Sequence, residues 1–238
     1  MKTGLIGWRG MVGSVLMERM RAENDFEHID PVFFTTSQAG QAAPNVGKGD
    51  SVLVDAFDLD ALMEMDAIIT CQGGSYTEKV HPELRSKGWK GYWIDAASTL
   101  RMAEQATIVL DPVNSPVIEK ALADGKKDFI GGNCTVSLML MGIAELLRQD
   151  LVEWISVMTY QAASGAGAAK MRELTLQMRM LGMASGADLD NPAALILDID
   201  RAVQSTFLKP DFPIGEIGAP LAGSLIPWID RPMEDGRT

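Results

Sequence analysis

The opening of this chain constrains its fold more than any other feature. Lys2-Thr3-Gly4-Leu5-Ile6 is a short apolar run that passes directly into Gly7-Trp8-Arg9-Gly10-Met11-Val12-Gly13. From Gly10 to about Arg21, Val12, Leu16 and Met20 recur every four residues, the stripe of an amphipathic helix. Strand, glycine turn and helix in that order form the first half of a βαβ unit. Glycines let the backbone approach a phosphate, and unpaired N–H groups at the helix start attract negative charge. The spacing is G-x-x-G-x-x-G rather than the commoner G-x-G-x-x-G, so the strand before and the helix after carry much of the inference.

The alternation continues. Strand patterns are read at 29–34, 52–54, 67–71, 92–95, 107–110 and 129–130, with helical patterns at 82–87 and 115–124. Continuous apolar strands separated by helices predict a parallel sheet covered on both faces. Residues 1–132 are therefore expected to form a Rossmann-like doubly wound α/β domain. The character then changes. Residues 136–147 read as a helix that is apolar nearly all round and hence buried. Residues 154–160 alternate like a strand with one exposed face, and 168–183 read as a long methionine-rich helix. The apolar stretch 218–228 closes no evident element. Residues 133–238 are expected to be an α+β catalytic and dimerisation domain that stops partway.

Composition excludes some functions. A hydrophobic share of 47% and a charged share of 22% are those of an ordinary soluble domain. A net charge of -11 disfavours nucleic-acid binding, which needs a basic face. No apolar run reaches the length of a membrane span, and the N-terminus lacks the pattern of a signal peptide. Two cysteines far apart do not make a disulfide framework, which points to a reducing, cytoplasmic compartment. No metal site is expected.

The second strand ends in Phe33-Phe34-Thr35-Thr36-Ser37-Gln38. An NAD-binding unit would place a carboxylate there for the ribose. Hydroxyls instead tolerate a 2′-phosphate, and Arg9 could add charge, which favours NADP. The alternative is a hydroxyl-rich strand end with no ligand.

Cys134 lies where Phe129-Ile130, Gly131-Gly132 and Asn133 meet an apolar helix. The thiolate is the reactive form of cysteine, and a helix N-terminus favours negative charge. Asn133 offers amide donors to an oxyanion or a phosphate. A buried structural cysteine is the alternative, and Cys71 is read that way. A thiol acting on a carbonyl beside a nicotinamide suggests phosphorylating aldehyde dehydrogenase chemistry through a thioester. Arg101 is either an anion clamp for phosphate or a solvated surface arginine. A general acid or base is missing: His28 precedes the second strand and His81 precedes Pro82 in a loop, and neither is a good partner for Cys134.

These residues carry a resemblance. Gly4-Leu5-Ile6-Gly7-Trp8-Arg9-Gly10-Met11-Val12-Gly13, Thr70-Cys71-Gln72-Gly73-Gly74 and Trp93-Ile94-Asp95-Ala96-Ala97-Ser98 are similar to segments of Gram-negative-type aspartate-semialdehyde dehydrogenase. So are Gly131-Gly132-Asn133-Cys134-Thr135-Val136, Thr159-Tyr160-Gln161-Ala162-Ala163-Ser164-Gly165 and Pro220-Leu221-Ala222-Gly223-Ser224-Leu225-Ile226-Pro227-Trp228-Ile229-Asp230. The resemblance implies NADPH-dependent reduction of L-aspartyl 4-phosphate to L-aspartate 4-semialdehyde and phosphate, on the route to lysine, methionine, threonine and isoleucine. It implies Cys134 as nucleophile, Gln161 orienting substrate or thioester, and Asn133 with Arg101 binding phosphate. Gly7, Arg9, Gly10, Met11, Val12, Gly13, Thr36, Ser37, Gln72, Ser164 and Gly165 are its cofactor contacts. It implies a homodimer built through the second domain.

The resemblance also implies a continuation past Thr238 with the catalytic histidine and the arginine for the substrate carboxylate. The chain is thus expected to be a fragment or a truncated product that turns over poorly alone. Competing readings are an inactive nucleotide-binding module and a related acyl-phosphate reductase, such as acetylglutamyl-phosphate reductase.

Overall fold

The computed structural model describes residues 1–227 and Glu234. It divides into two compact units, Met1–Tyr160 and Gln161–Thr238. The expected segment 218–228 is described through Pro227 and contains no helix or strand; Trp228, and with it Ile229 and Asp230, lies outside the described residues.

The first unit begins β1 (Lys2–Ile6), α1 (Met11–Ala22), β2 (Asp30–Thr35), β3 (Val54–Asp55) and α2 (Leu59–Met63). It continues β4 (Ala67–Thr70), α3 (Gly74–Ser86), β5 (Tyr92–Asp95), β6 (Ala106–Val109), α4 (Ser115–Ala123), β7 (Asp128–Gly131) and α5 (Cys134–Arg148). The seven strands form one parallel sheet in the order β3-β2-β1-β4-β5-β7-β6. This is the doubly wound architecture expected from the apolar runs. The order reverses between β1 and β4, and such a switch point opens a crevice at the carboxyl ends of the strands.

The strands read as unbroken apolar runs because successive side chains enter opposite cores. Ile6, Phe34, Ile68, Trp93 and Ile130 pack with Leu62 of α2 and with Tyr76, Val80 and Leu84 of α3. Their neighbours Leu5 and Phe33 pack with Met17 and Met20 of α1 and with Phe26 on the other face. Burying each such side chain contributes roughly 1.5–3 kcal/mol.

Several expectations are corrected. The helix expected at 82–87 is the last part of α3, so His81 lies on a helix and not in a loop. His81 is buried against Asp128, its Nε2 3.0 Å from Oδ1. Arg85 joins them, donating to Asp128 at 2.6 Å and to the carbonyls of Trp89 and Gly91 at 3.0 Å. This charged cluster pins the end of α3 to the starts of β5 and β7. Helix α5 forms, but none of its residues is buried, and Leu138 is 73% exposed. Its apolar surface required a cover, yet composition could not say what supplies one. Residues 154–160 are not a strand; Trp154 is 77% and Met158 95% exposed. A strand needs a ladder partner, and no strand follows β7 among the described residues.

The second unit contains α6 (Ala168–Leu189) and α7 (Ile196–Phe207). Two buried polar side chains of α6 hold the following loop by its backbone. Glu173 accepts from the N–H groups of Glu216 and Ile217 at 2.7 and 2.8 Å. The Gln177 carbonyl accepts from Leu221 and Ala222 at 2.8 and 3.0 Å, and its amide donates to Pro213 at 2.7 Å.

Candidate active site at the carboxyl edge of the sheet

Parallel register sets the carboxyl edge. Ile6 pairs with Phe34 on one side and Thr70 on the other, Thr70 with Asp95, and Asp95 with Ile130. The loops that begin at Gly7, Thr36, Cys71, Ala96 and Gly132 therefore leave the sheet on one edge.

Two glycines of the loop leave no room for a side chain. Gly7 adopts a φ of 73°, and a Cβ there would stand 2.5 Å from the backbone of Cys71 and Gln72. A Cβ at Gly13 would meet the Gly7 carbonyl oxygen at 2.2 Å. These contacts fold the loop tightly onto the end of β4. Gly10 donates to the Gly7 carbonyl, and the first helical bond of α1 runs from Ser14 to Gly10. The N–H groups of Met11, Val12 and Gly13 are thus left facing out of the helix start, with no side-chain cap on Gly10. Such a start accepts a phosphate. Gln72 lies beside it at the switch point, its N–H held by Thr70 Oγ1 at 3.2 Å.

Arg9 leaves the loop toward the end of β2. Its guanidinium donates to Thr35 Oγ1 at 3.0 Å and to Ser37 Oγ at 3.4 Å, and it bonds the Gln38 side-chain carbonyl. It stacks over Trp8, whose indole N–H donates to the Phe34 carbonyl at 3.1 Å. Ser37 thus meets Arg9. Thr36 is exposed, while Thr35, one of the three hydroxyls read at this strand end, and Gln38, not singled out from sequence, complete the cluster. Side-chain alternation along β2 was the available signal, since it puts 35 and 37 on one side.

Three strand positions from β1, an on-edge distance of roughly 14 Å at about 4.8 Å per step, β7 leads to the cysteine. Cys134 is exposed and is the first residue of α5. Asn133 caps that helix, its Oδ1 accepting from Val136 N–H at 3.1 Å. The cap occupies the amide oxygen and leaves Nδ2 as a donor beside the thiol. Arg101 is not a solvated arginine: Nε donates to the Gly131 carbonyl at 2.8 Å and Nη2 to the Gly132 carbonyl at 3.2 Å. Arg101, Asn133 and Cys134 are thereby brought together. Cys71 differs. Burial, and next the charge of Asp95, push its thiol up to about 11.

Gln161, Ser164 and Gly165 belong to the second unit and lie together in it. The last two sit in a 3-10 turn at 163–166, and a Cβ at Gly165 would fall 2.8 Å from the Gln161 amide nitrogen. His28 is exposed at the entry to β2.

A parallel sheet with a glycine-lined helix start at its switch point is the arrangement of a dinucleotide-binding α/β domain, and this one also carries an exposed thiol at the start of an amide-capped helix. Comparison with known families gives the finer assignment. The family model described as "Semialdehyde dehydrogenase, NAD binding domain" matches residues 2–121. That described as "Semialdehyde dehydrogenase, dimerisation domain" matches residues 143–238. The chain belongs to the semialdehyde dehydrogenase family. Among solved structures it is similar to an aspartate semialdehyde dehydrogenase from Francisella tularensis, with 48% identity and a TM-score of 0.91. That match covers 100% of this chain and 64% of the relative, so the chain spans under two thirds of the relative's length. The Vibrio cholerae aspartate semialdehyde dehydrogenase II complexed with ASA shares the fold at 22% identity and a TM-score of 0.72, over 99% of this chain and 61% of that one. A probable aspartate-semialdehyde dehydrogenase from Pseudomonas aeruginosa shares it at 16% identity and 0.60, over 100% and 62%. No helix among the described residues is long and apolar enough to cross a membrane.

Proposed function

We propose that this chain is the cofactor- and thiol-bearing part of an NADPH-dependent enzyme that reduces L-aspartyl 4-phosphate to L-aspartate 4-semialdehyde and phosphate. The observation that carries the proposal is the exposed Cys134 at the start of α5, with Arg101 anchored on the Gly131 and Gly132 carbonyls beside it. The name of the 48%-identical relative supports the substrate. Residues 1–132 act as the NADP-binding domain and 133–238 as the catalytic and dimerisation domain, in a cytoplasmic homodimer.

The Cys134 thiolate attacks the acyl carbonyl, a C–S bond forms, and the C–O bond to phosphate breaks. Arg101 and the Asn133 amide receive the departing phosphate, a task for charge-assisted donors. Gln161 orients the resulting thioester. A nicotinamide held at the glycine loop would supply the hydride by which the Cys134 thioester is reduced to aldehyde and free thiolate. Gly7, Gly10, Met11, Val12 and Gly13 cradle the dinucleotide phosphates, and Gln72, Ser164 and Gly165 complete the cofactor contacts. Arg9, with the hydroxyls at 35–37, favours the 2′-phosphate of NADP over the bare ribose of NAD.

Alkylation tests the assignment of the thiol. At neutral pH a thiol held at about 11 is ionised on the order of one part in ten thousand, so iodoacetamide should label Cys134 and spare Cys71. Inorganic phosphate should slow the labelling, and Cys134→Ser should abolish thioester formation from aspartyl phosphate. Equal slow labelling of both cysteines would overturn the proposal.

A further inference from the structure

Asp95 ends β5 and is only 1% exposed, yet the chemistry described above does not use it. Its carboxylate receives donors from three directions. Thr77 of α3 donates to Oδ2 at 2.6 Å, and the Trp93 indole donates to the same oxygen at 3.3 Å. The Ala97 N–H donates to Oδ1 at 2.7 Å. Ala97 opens the loop that carries Arg101, and Thr77 sits in the first turn of the helix that follows Gln72-Gly73.

The same loop is gripped at further points. Ala96 N–H donates to the Thr70 carbonyl at 3.1 Å, and Arg101 N–H to the Ser98 carbonyl at 3.0 Å. Thr99 Oγ1 lies 2.7 Å from where a Cβ on Gly74 would stand, so the loop lies against the start of α3. Arg101 then reaches the Gly131 and Gly132 carbonyls, one residue before Asn133. Among the described residues, Asp95 is the one side chain that bonds both α3 and this loop.

We propose that Asp95 is a positioning residue: by joining Thr77 to Ala97 it sets the Arg101 guanidinium against the Cys134 loop and so fixes the geometry in which phosphate is held. A packing role alone would be met at lower cost by an apolar side chain, because a buried carboxylate is desolvated. Burial does push the Asp95 carboxyl up, against the Thr77, Ala97 and Trp93 donors. What the carboxylate adds is direction, since only a charged two-oxygen acceptor takes both the hydroxyl and the loop N–H strongly. The inference rests on the reading of Arg101 and Cys134 as an acyl-phosphate site.

The test uses the full chain, inorganic phosphate as probe, and two readouts. The first is the phosphate concentration that half-protects Cys134 from iodoacetamide; the second is NADPH affinity by fluorescence titration. In Asp95→Asn and in Thr77→Val the half-protecting concentration should rise about tenfold, the effect of losing one hydrogen bond to a charged group. Thr77→Ser, which keeps the hydroxyl, should restore it to within about twofold. NADPH affinity should hold in all three, because the glycine loop does not bond to Asp95. Unchanged protection in Thr77→Val would overturn the inference. So would a loss of NADPH affinity parallel to the loss of protection and not rescued by Thr77→Ser, the sign of a general loss of structure. If phosphate fails to protect the wild-type chain, the reading of the site itself falls, and the positioning role with it.

Discussion

At the scale of single residues, Arg9 is the side chain proposed to choose between two cofactors. It belongs to the phosphate loop by sequence, but its side chain is spent on the end of β2, against Thr35, Ser37 and Gln38. A bare ribose hydroxyl needs no cation there, whereas a 2′-phosphate does. Arg9→Ala should therefore weaken NADPH binding by about tenfold to a hundredfold, the range for a lost charge-assisted bond, and leave NADH binding nearly unchanged. Equal loss for both dinucleotides would show that Arg9 only supports the loop. Much at this scale was legible. Asn133 and Cys134 stand at the start of the helix that their sequence neighbours suggested. Asp95 and His81 were not legible, because their partners Thr77 and Asp128 lie 18 and 47 residues away. Nothing local in sequence marks a pairing that the sheet creates.

Elements succeed or fail by what surrounds them. The strands of the first unit were legible because both faces are buried, leaving unbroken apolar runs. Helix α2, five residues long and capped by Asp58, is too short to show a period. Residues 154–160 alternate convincingly, but alternation describes a face and not a partner. The same dependence on surroundings governs α1. Its Gly13 lies in the first turn of the helix, where alanine would ordinarily be the better helix former. Here a methyl group would meet the Gly7 carbonyl at 2.2 Å. Gly13→Ala should lower the thermal midpoint and abolish measurable NADPH binding, a reversal of the usual propensity that calorimetry and titration would record together. A stabilised, cofactor-binding variant would contradict the packing described.

The molecule as a whole presents an unusual amount of apolar surface around α5 and the segment after it. Leu138, Trp154, Met158 and Tyr160 are all largely exposed, and the dimerisation-domain match covers these last three residues within 143–238. Exposed patches of this kind mark interaction surfaces. The chain should sediment as a dimer, and Trp154→Asp should weaken that dimer by about tenfold or more, as truncating a buried aromatic anchor does. A monomer at all concentrations would count against the homodimer.

The close contact between Gly7 and the Cys71–Gln72 backbone carries one more meaning, in time. A phosphate loop looks like a local motif, finished once its strand, turn and helix exist. In this chain the far wall of the loop is supplied by residues some sixty positions later, after β2, β3 and α2 have been threaded. Contacts of such separation form late, since the intervening chain must close first. During synthesis on the ribosome, the first half of the domain emerges without a finished cradle. Affinity for the dinucleotide arrives with β4, and a chain interrupted before residue 72 is blind to the cofactor whose signature it already displays.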